Sequence, residues 1–249
     1  MKNKIGNNGE RTTPNEYSTF EFERIYYYVS NKYKDYSKIV LDYGSGSGYG
    51  TKILSNYFSK CYGVDVAEDA VNFANLNYHN SKLEYLTLNP SIQPFPNGTF
   101  DYIFSFQVFE HVPLNDLETY IKFIYNMLKI NGKAIITTPN SFNYFGGFSG
   151  NIHHVKEYDI YDLQSIFNKV IPGRFEIYFV EDILSTKVRL KIRKYFKNTF
   201  LGRILGGLSG RGIKFLEKHK IISYEQFNIV LKHNFSTLTG SFYIELHKS

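Results

Sequence analysis

The sequence predicts a single α/β domain in which helices cover a mostly parallel sheet. Short apolar runs of strand length alternate with amphipathic runs of helix length. A glycine-rich turn, Gly44 to Gly50, lies between the first buried strand and the helix that follows it. The chain has 249 residues, of which 43% are hydrophobic, and this is enough to bury a large core.

The predicted elements occur in an alternating order after an N-terminal helix. Strands are predicted at Ile39–Leu41, Cys61–Val64, Leu83–Leu88, Tyr102–Phe106, Ala134–Thr138, Arg174–Val180 and Ser241–His247. Helices are predicted at Asn15–Lys34, Thr51–Ser59, Ala67–Asn77, Leu114–Leu128 and Tyr161–Val170. Residues 217–234 are expected to be helical or irregular.

The glycine turn indicates a nucleotide-like ligand. Its glycines permit positive φ and let a ligand approach the backbone closely. The turn does not match Gly-x-Gly-x-x-Gly, because Tyr49 stands at the third glycine position, and no P-loop sequence follows. A nicotinamide-dependent oxidoreductase is therefore disfavoured.

A second acidic residue supports the same ligand class. Asp65 ends the second predicted strand, 23 positions after Asp42, which ends the first. Nucleotide-binding α/β folds place a carboxylate at about this spacing to accept hydrogen bonds from ribose hydroxyls. Asp65 is therefore predicted to bind a ribose.

The pattern Asp-x-Gly-x-Gly-x-Gly at 42–48 resembles motif I of the class I S-adenosylmethionine-dependent methyltransferases. Residues 100–112 resemble the segment Phe-Asp-x-Val-x-Ser-x-x-x-x-Glu-His-Val of that family, and 89–98 and 129–133 resemble two further segments in family order. The resemblance covers about residues 35–140. It implies a Rossmann-like, seven-stranded methyltransferase sheet, mostly parallel with one antiparallel strand, flanked by helices and carrying an inserted lid.

This resemblance implies one methyltransferase domain over residues 1–249. Its parts are an N-terminal cap segment (1–34), a cofactor-binding core (35–182), a lid or insertion (183–240) and the last strand (241–249).

The cofactor implied is S-adenosylmethionine, with S-adenosylhomocysteine as product. In the family the first acid lies near the methionine ammonium group, and the glycines make room for the sugar and methionine. Asn89 departs from the family's acidic residue near the adenine amino group, although its carbonyl can still accept from that amine. The implied cofactor-binding residues are Tyr17, Asp42, Gly44, Ser45, Gly46, Gly48, Asp65, Val66, Asn89 and Gln107.

Three histidines are candidate catalytic residues. His153 and His154 follow the fifth strand, where the acceptor would meet the cofactor, and either one can act as a base on a hydroxyl. Glu157 and Asp182 are candidates to orient that base. His111 belongs to the Glu-His-Val segment, where it either acts as a base or shapes the loop. His153, His154, Glu157 and Asp159 also form a candidate metal group, but no metal is predicted.

The net charge of +6 favours anionic ligands or surfaces but does not choose among nucleotide-linked substrates, nucleic acid and lipid headgroups. The acceptor is expected to be small and anionic. A Gly-Glu-Arg segment and His-Val-Lys-Glu-Tyr at 154–158 resemble sugar O-methyltransferases, so a precursor of surface polysaccharide, nucleotide-linked or phosphorylated, is expected. Residues 187–214 hold nine Lys or Arg and no acid, which suits a lid, a membrane-surface contact or a solvated face.

Several alternatives remain open at this point. The acceptor can instead be a quinone or lipid-like ring, or the chain can be a non-catalytic scaffold that binds the cofactor. Nucleic acid is not expected as a partner, since no Asn/Asp-Pro-Pro-Tyr/Phe segment follows the fourth strand. A cytoplasmic location is expected, because the sequence has no signal-like opening and no run of 18 apolar residues.

Overall fold

A computed structural model describes residues 19–141, 151–182, 229–232 and 240–249. Tyr17, the Gly-Glu-Arg segment, the basic segment 187–214 and most of the predicted lid lie outside the described residues. The helices are α1 (Thr19–Tyr33), α2 (Tyr49–Leu54), α3 (Glu68–Asn77), α4 (Leu117–Met127) and α5 (Ile160–Val170). The strands are β1 (Asp35–Tyr43), β2 (Phe58–Asp65), β3 (Leu83–Thr87), β4 (Phe100–Phe106), β5 (Leu128–Pro139), β6 (Phe175–Asp182), β7 (Ile229–Lys232) and β8 (Ser241–His247).

The strands form one sheet in the order β3-β2-β1-β4-β5-β8-β6-β7. Neighbouring strands from β3 to β5 pair in parallel, whereas β8 is antiparallel to both β5 and β6. The predicted Rossmann-like sheet, mostly parallel with one antiparallel strand and flanked by helices, is thereby confirmed. The short strand β7 adds an eighth member at the edge, antiparallel to β6.

The strand β7 corrects the prediction for residues 217–234, which the sequence assigns to a helical or irregular segment. Four residues, Ile229–Lys232, pair with the end of β6. A run of four residues is too short to show the alternation of apolar and polar residues that is typical of a strand. Its conformation is therefore decided by pairing with β6 and not by the local sequence pattern.

Two predicted helices are shorter in the structure. The helix after the glycine turn ends at Leu54, because the fully buried Phe58 already belongs to β2. The predicted helix Leu114–Leu128 begins with a 3₁₀ turn at Leu114–Asp116 and continues as α4. Both differences concern boundaries and leave the order of elements unchanged.

The core lies on both faces of the sheet, because successive strand side chains point to opposite sides. Val40 and Ile135 pack in a cluster with α1 and α2 residues, whereas Leu41 and Ile136 pack in a larger cluster with α4 and α5 residues. Each of these four strand residues is fully buried. In the part of the chain that is described, no helix has the length and apolarity needed to cross a membrane.

The N-terminal helix is attached to the first strand through a buried polar contact. The hydroxyl of Tyr26 on α1 donates to both oxygens of Asp42, with O···O distances of 3.0 and 3.3 Å. The Tyr26 ring also packs so closely on Gly50 that a Cβ added there would lie 2.0 Å from the ring. Helix α1 is thus fixed directly against the base of the glycine turn.

We expect Tyr26→Phe to lower the free energy of unfolding by about 1–3 kcal/mol, because the buried carboxyl group of Asp42 loses a hydrogen-bond donor. Tyr158→Phe is the matched control. Tyr158 is also fully buried, and its hydroxyl has no hydrogen-bond partner among the described residues. Urea unfolding of both variants measures the difference, and equal stability losses would contradict the assigned role of the Tyr26 hydroxyl.

Candidate active site

The candidate site lies where the parallel strands end. Strands β1, β2, β4 and β5 run in the same direction, so their carboxyl ends share one edge of the sheet. Ligands of open α/β sheets bind at this edge. The glycine turn follows β1, Asp65 ends β2, Gln107 follows β4, and Asn140 follows β5.

Two glycines of the turn are required by the packing of the protein itself. Gly44 and Gly48 have φ values of 85° and 84°. A Cβ at Gly44 would lie 2.3 Å from the Val108 side chain, and one at Gly48 would lie 2.5 Å from Ala74. These glycines let the turn approach its neighbours, and Gly44 brings it against the segment after β4.

Gly46 differs from these two because it faces open space. Its φ is 53°, and a Cβ built there meets no protein atom within 4 Å. Its amide donates to Oδ2 of Asp65 at 2.8 Å. A backbone surface without a side chain therefore lies beside a carboxylate, which is the arrangement that a ligand lying across the turn requires.

Asp65 joins the turn to the loop after β2. Its Oδ2 accepts from Gly46 and its Oδ1 accepts from the amide of Ala67 at 2.9 Å. The residue is 8% exposed. A carboxylate has about four acceptor sites, so these two bonds orient Asp65 while leaving it able to accept from ribose hydroxyls.

Asp42 is fully buried beneath the turn. Besides the Tyr26 hydroxyl, it accepts from Thr51 Oγ1 at 2.7 Å. The pKa of its carboxyl group is raised to about 7, mainly by burial and to a smaller extent by the nearby charge of Asp65, while the hydroxyl donors Thr51 and Tyr26 oppose the rise. Asp42 holds three elements together at the position where the resemblance places a methionine ammonium group.

The remaining predicted cofactor residues line the same edge. Ser45 is 3% exposed, and its hydroxyl has no partner among the described residues, so it is a polar atom that a ligand can satisfy. Val66 is 55% exposed next to Asp65. Asn89 is exposed, and its Oδ1 accepts from the Ser91 amide in a local turn. Tyr17, the tenth predicted residue, lies outside the described part.

Gln107 has a positive φ of 57°, which is uncommon for a residue other than glycine. Its amide donates to the Thr137 carbonyl at 3.0 Å, and its side-chain amide donates to Thr137 Oγ1 at 3.3 Å. These bonds tie the end of β4 to the end of β5. They turn the chain sharply into the segment that contains His111.

The structure brings two of the three predicted catalytic histidines together. The rings of His111 and His154 are 4.9 Å apart at an interplanar angle of 82°. His154 Nδ1 lies 2.6 Å from Oε1 of the buried Glu157, so Glu157 has the position predicted for an orienting carboxylate. His153 is exposed, and its backbone carbonyl accepts from His111 Nδ1 at 2.9 Å.

The candidate metal group proposed from sequence does not share one location. Asp159 caps helix α5, where its side chain accepts from the Asp162 amide at 2.8 Å. Among the described residues, the potential metal ligands that converge are Glu110, His111 and His154, and this group contains only one member of the predicted set. Asp182, the other predicted orienting residue, is described only as part of the β6 backbone.

Sequence reasoning missed Glu110. This residue is fully buried, and its Oε2 accepts from Thr138 Oγ1 at 3.0 Å. Its backbone carbonyl accepts from the amides of Val155 at 2.8 Å and Lys156 at 3.3 Å. Glu110 thus fastens the segment 151–158 to the end of β4. The sequence signal that could have identified Glu110 is its place beside His111 in the Glu-His-Val segment.

The fold and the site resemble those of the class I S-adenosylmethionine-dependent methyltransferases. Residues 41–136 match the family described as a methyltransferase domain. This range contains the glycine turn, Asp65 and the Glu-His segment. The cofactor of this class is S-adenosylmethionine, and two features fit it: the open surface at Gly46 and the buried, unsatisfied hydroxyl of Ser45.

Individual proteins agree with this assignment. A probable S-adenosylmethionine-dependent methyltransferase of Mycobacterium tuberculosis is 27% identical over 164 residues, which cover 64% of this chain and 58% of that protein. The chain thus spans less than two thirds of that relative. A ubiquinone biosynthesis O-methyltransferase of Bos taurus is 32% identical over 109 residues, covering 41% of this chain and 28% of the relative.

A solved structure supports the fold. Phosphoethanolamine N-methyltransferase 2 of Haemonchus contortus, in complex with S-adenosyl-L-methionine, superposes with a TM-score of 0.56 at 18% identity. The match covers 92% of this chain and 53% of that one.

We expect Gly46→Ala to weaken S-adenosylhomocysteine binding at least tenfold, which corresponds to about 1.4 kcal/mol. The added methyl group would occupy the open space beside Asp65 without touching another protein atom. Gly98→Ala is the matched control, because Gly98 has a φ of 69° and equally open surroundings but lies in the loop before β4. Calorimetric titration measures both affinities, and an equal loss in both variants would contradict a ligand surface at Gly46.

The raised pKa of Asp42 predicts a pH dependence of stability. The folded-state pKa of about 7 exceeds the ordinary aspartate value of 3.8, so the folded protein holds this proton more tightly than the unfolded chain. The stabilisation is fully present below about pH 4 and is lost as the pH rises through 7, with a slope on the order of 1 kcal/mol per unit. Asp42→Asn should flatten this part of the curve in urea unfolding, and an unchanged slope would refute the assignment.

Proposed function

We propose that the protein transfers the methyl group of S-adenosylmethionine to a hydroxyl oxygen of a small, anionic acceptor. The observation that carries the oxygen assignment is the contact between His154 Nδ1 and Glu157 Oε1, at 2.6 Å. A histidine oriented by a buried carboxyl group is a common device for promoting the loss of a hydroxyl proton.

The histidine pair is connected to the cofactor side by a short path. Gly44 of the turn packs on Val108, and the Val108 carbonyl accepts from the His111 amide at 2.9 Å. The ring of His111 in turn contacts the ring of His154. This path supports a role for His154 on the acceptor side of the cofactor.

In this proposal the residues of the chain have separate roles in binding the cofactor and the acceptor. Asp65, Asn89 and the glycine turn bind the nucleoside, and Asp42 lies near the methionine ammonium group. When bound, S-adenosylmethionine would supply an electrophilic methyl carbon, and its sulfur would leave with the bonding electron pair as the acceptor oxygen attacks that carbon. Since such a displacement mainly needs alignment, the protein holds the two reactants in register and His154, oriented by Glu157, contacts the acceptor hydroxyl.

An anionic acceptor is favoured by the charge of the chain. The net charge is +6, and residues 187–214 contribute nine basic residues without an acid. We propose a sugar or other precursor of surface polysaccharide, nucleotide-linked or phosphorylated, as the substrate. A quinone-like ring is the second candidate, because a ubiquinone biosynthesis O-methyltransferase is among the relatives.

The test is a methyl-transfer assay with nucleotide sugars, sugar phosphates and quinones as acceptors, with product detected by mass spectrometry. We expect His154→Ala to lower kcat by about 10²–10⁴ and to leave S-adenosylhomocysteine affinity unchanged. His153→Ala should change kcat by less than about threefold, because that side chain is exposed and outside the pair.

Two results would contradict the proposal. A loss of rate in His153→Ala but not in His154→Ala would place the chemistry on the exposed histidine. Binding of S-adenosylhomocysteine without methylation of any acceptor class would instead favour a non-catalytic scaffold.

A further inference from the structure

Three potential metal ligands meet at the carboxyl edge of the sheet. Glu110, His111 and His154 each offer one nitrogen or oxygen atom, and these atoms lie within 4.8 Å of one another. Two of the residues follow β4, and the third comes from the segment after β5. Their convergence is therefore a product of the fold.

The two rings are oriented as metal-binding histidines usually are. His111 Nδ1 lies 2.9 Å from the His153 carbonyl, which can only accept, so a neutral ring carries its proton on Nδ1 and its lone pair on Nε2. His154 Nδ1 lies 2.6 Å from Glu157 Oε1, which sets the same tautomer. Histidine ligands of metal ions almost always donate their other N–H to a carbonyl or carboxylate in this way.

The carboxyl groups around the rings add negative charge in a buried place. Glu110 is fully buried, with Oε2 accepting from Thr138 Oγ1 at 3.0 Å, and Glu157 is 5% exposed. Buried charges in proteins are paired or coordinate metals. A divalent cation between the rings would balance these two carboxyl groups.

We propose that Glu110, His111 and His154 bind one divalent transition-metal ion, with Zn²⁺ or Mn²⁺ as the chemical type. Two imidazoles and one carboxylate suit these ions, whereas Mg²⁺ prefers oxygen ligands alone. Ligand bonds of about 2.0–2.2 Å would draw the three atoms closer than they stand in the structure. The Asn151 amide, 3.0 Å from His154 Nε2, moves aside for the ion.

The consequence for catalysis rests on the proposed function. Three protein ligands leave a coordination position open, and the acceptor's hydroxyl oxygen occupies it. The ion lowers the pKa of that hydroxyl, whose proton leaves to solvent. The oxygen then forms a bond to the methyl carbon while the carbon–sulfur bond breaks, and the electron pair stays on the sulfur of S-adenosylhomocysteine. In this arrangement His154 acts on the hydroxyl through the ion that it binds and does not accept the proton itself, while Glu157 keeps its role as a positioning residue.

The experiment measures metal binding without any acceptor. The full chain is treated with chelator, dialysed against Zn²⁺, Mn²⁺ or Mg²⁺, and analysed for bound metal by mass spectrometry. We expect about one Zn²⁺ or Mn²⁺ per chain, and no stoichiometric Mg²⁺. Glu110→Gln, His111→Ala and His154→Ala should each abolish this binding, and Glu157→Gln should weaken it by about 10–100-fold.

His153→Ala is the matched control, since it removes a neighbouring histidine whose backbone carbonyl remains in place, and it should retain the ion. S-adenosylhomocysteine titration of every variant shows that the fold is intact. Retention of metal by the Glu110 and His154 variants would place the ion elsewhere and overturn the proposal. A wild-type protein that binds S-adenosylhomocysteine but no transition metal would also overturn it, while leaving the methyltransferase function in place. Failure of the wild-type protein to bind S-adenosylhomocysteine would count against the methyltransferase function alone.

Discussion

The site depends most on the hydrogen bonds that the buried carboxyl group of Asp42 accepts. Asp42 is the last residue but one of β1, accepts from Tyr26 of α1, and accepts from Thr51 of α2. A buried carboxyl group without such donors is costly, so strand, N-terminal helix and turn helix must keep these positions relative to one another. The glycine turn lies between the strand and α2, and its conformation is therefore fixed before any ligand arrives.

The parallel sheet explains how residues far apart in sequence reach one site. Strand β4 lies between β1 and β5. Its carboxyl end therefore lies beside the glycine turn on one side and beside the carboxyl end of β5 on the other. Val108 packs on Gly44, and Gln107 bonds to Thr137. The segment 107–111 therefore connects the cofactor side to the histidine side, and its positive φ at Gln107 makes the sharp turn that this connection needs.

The sheet could be predicted well from the sequence because it depends on local patterns, and the prediction of the cofactor edge rests on the same kind of pattern. Apolar runs, the glycines and the position of Asp65 at a strand end are visible without tertiary information. Contacts between segments that are distant in sequence are not visible in this way. Nothing in the residues around position 110 indicates that a carbonyl there receives the amides of Val155 and Lys156, or that His154 and not His153 turns toward His111. Adjacent histidines in an irregular segment follow no periodic pattern. The sequence therefore cannot show which of the two side chains points toward His111, and only the structure does. The strand β7 was missed for a similar reason, since its conformation is set by pairing with β6.

The charges of the site differ from those of the chain. The protein as a whole is basic, with a net charge of +6, yet the described site presents four acids at the sheet edge, namely Asp42, Asp65, Glu110 and Glu157. The first two suit a cofactor that carries a sulfonium and an ammonium group. The second two lie beside His111 and His154. If the acceptor binds there as proposed, these acids would repel an anion at close range, since like charges a few ångströms apart interact strongly in a buried place. An anion can bind there only if positive charge is brought between it and these acids. The metal ion proposed at Glu110 and the two histidines would meet that requirement within the described residues.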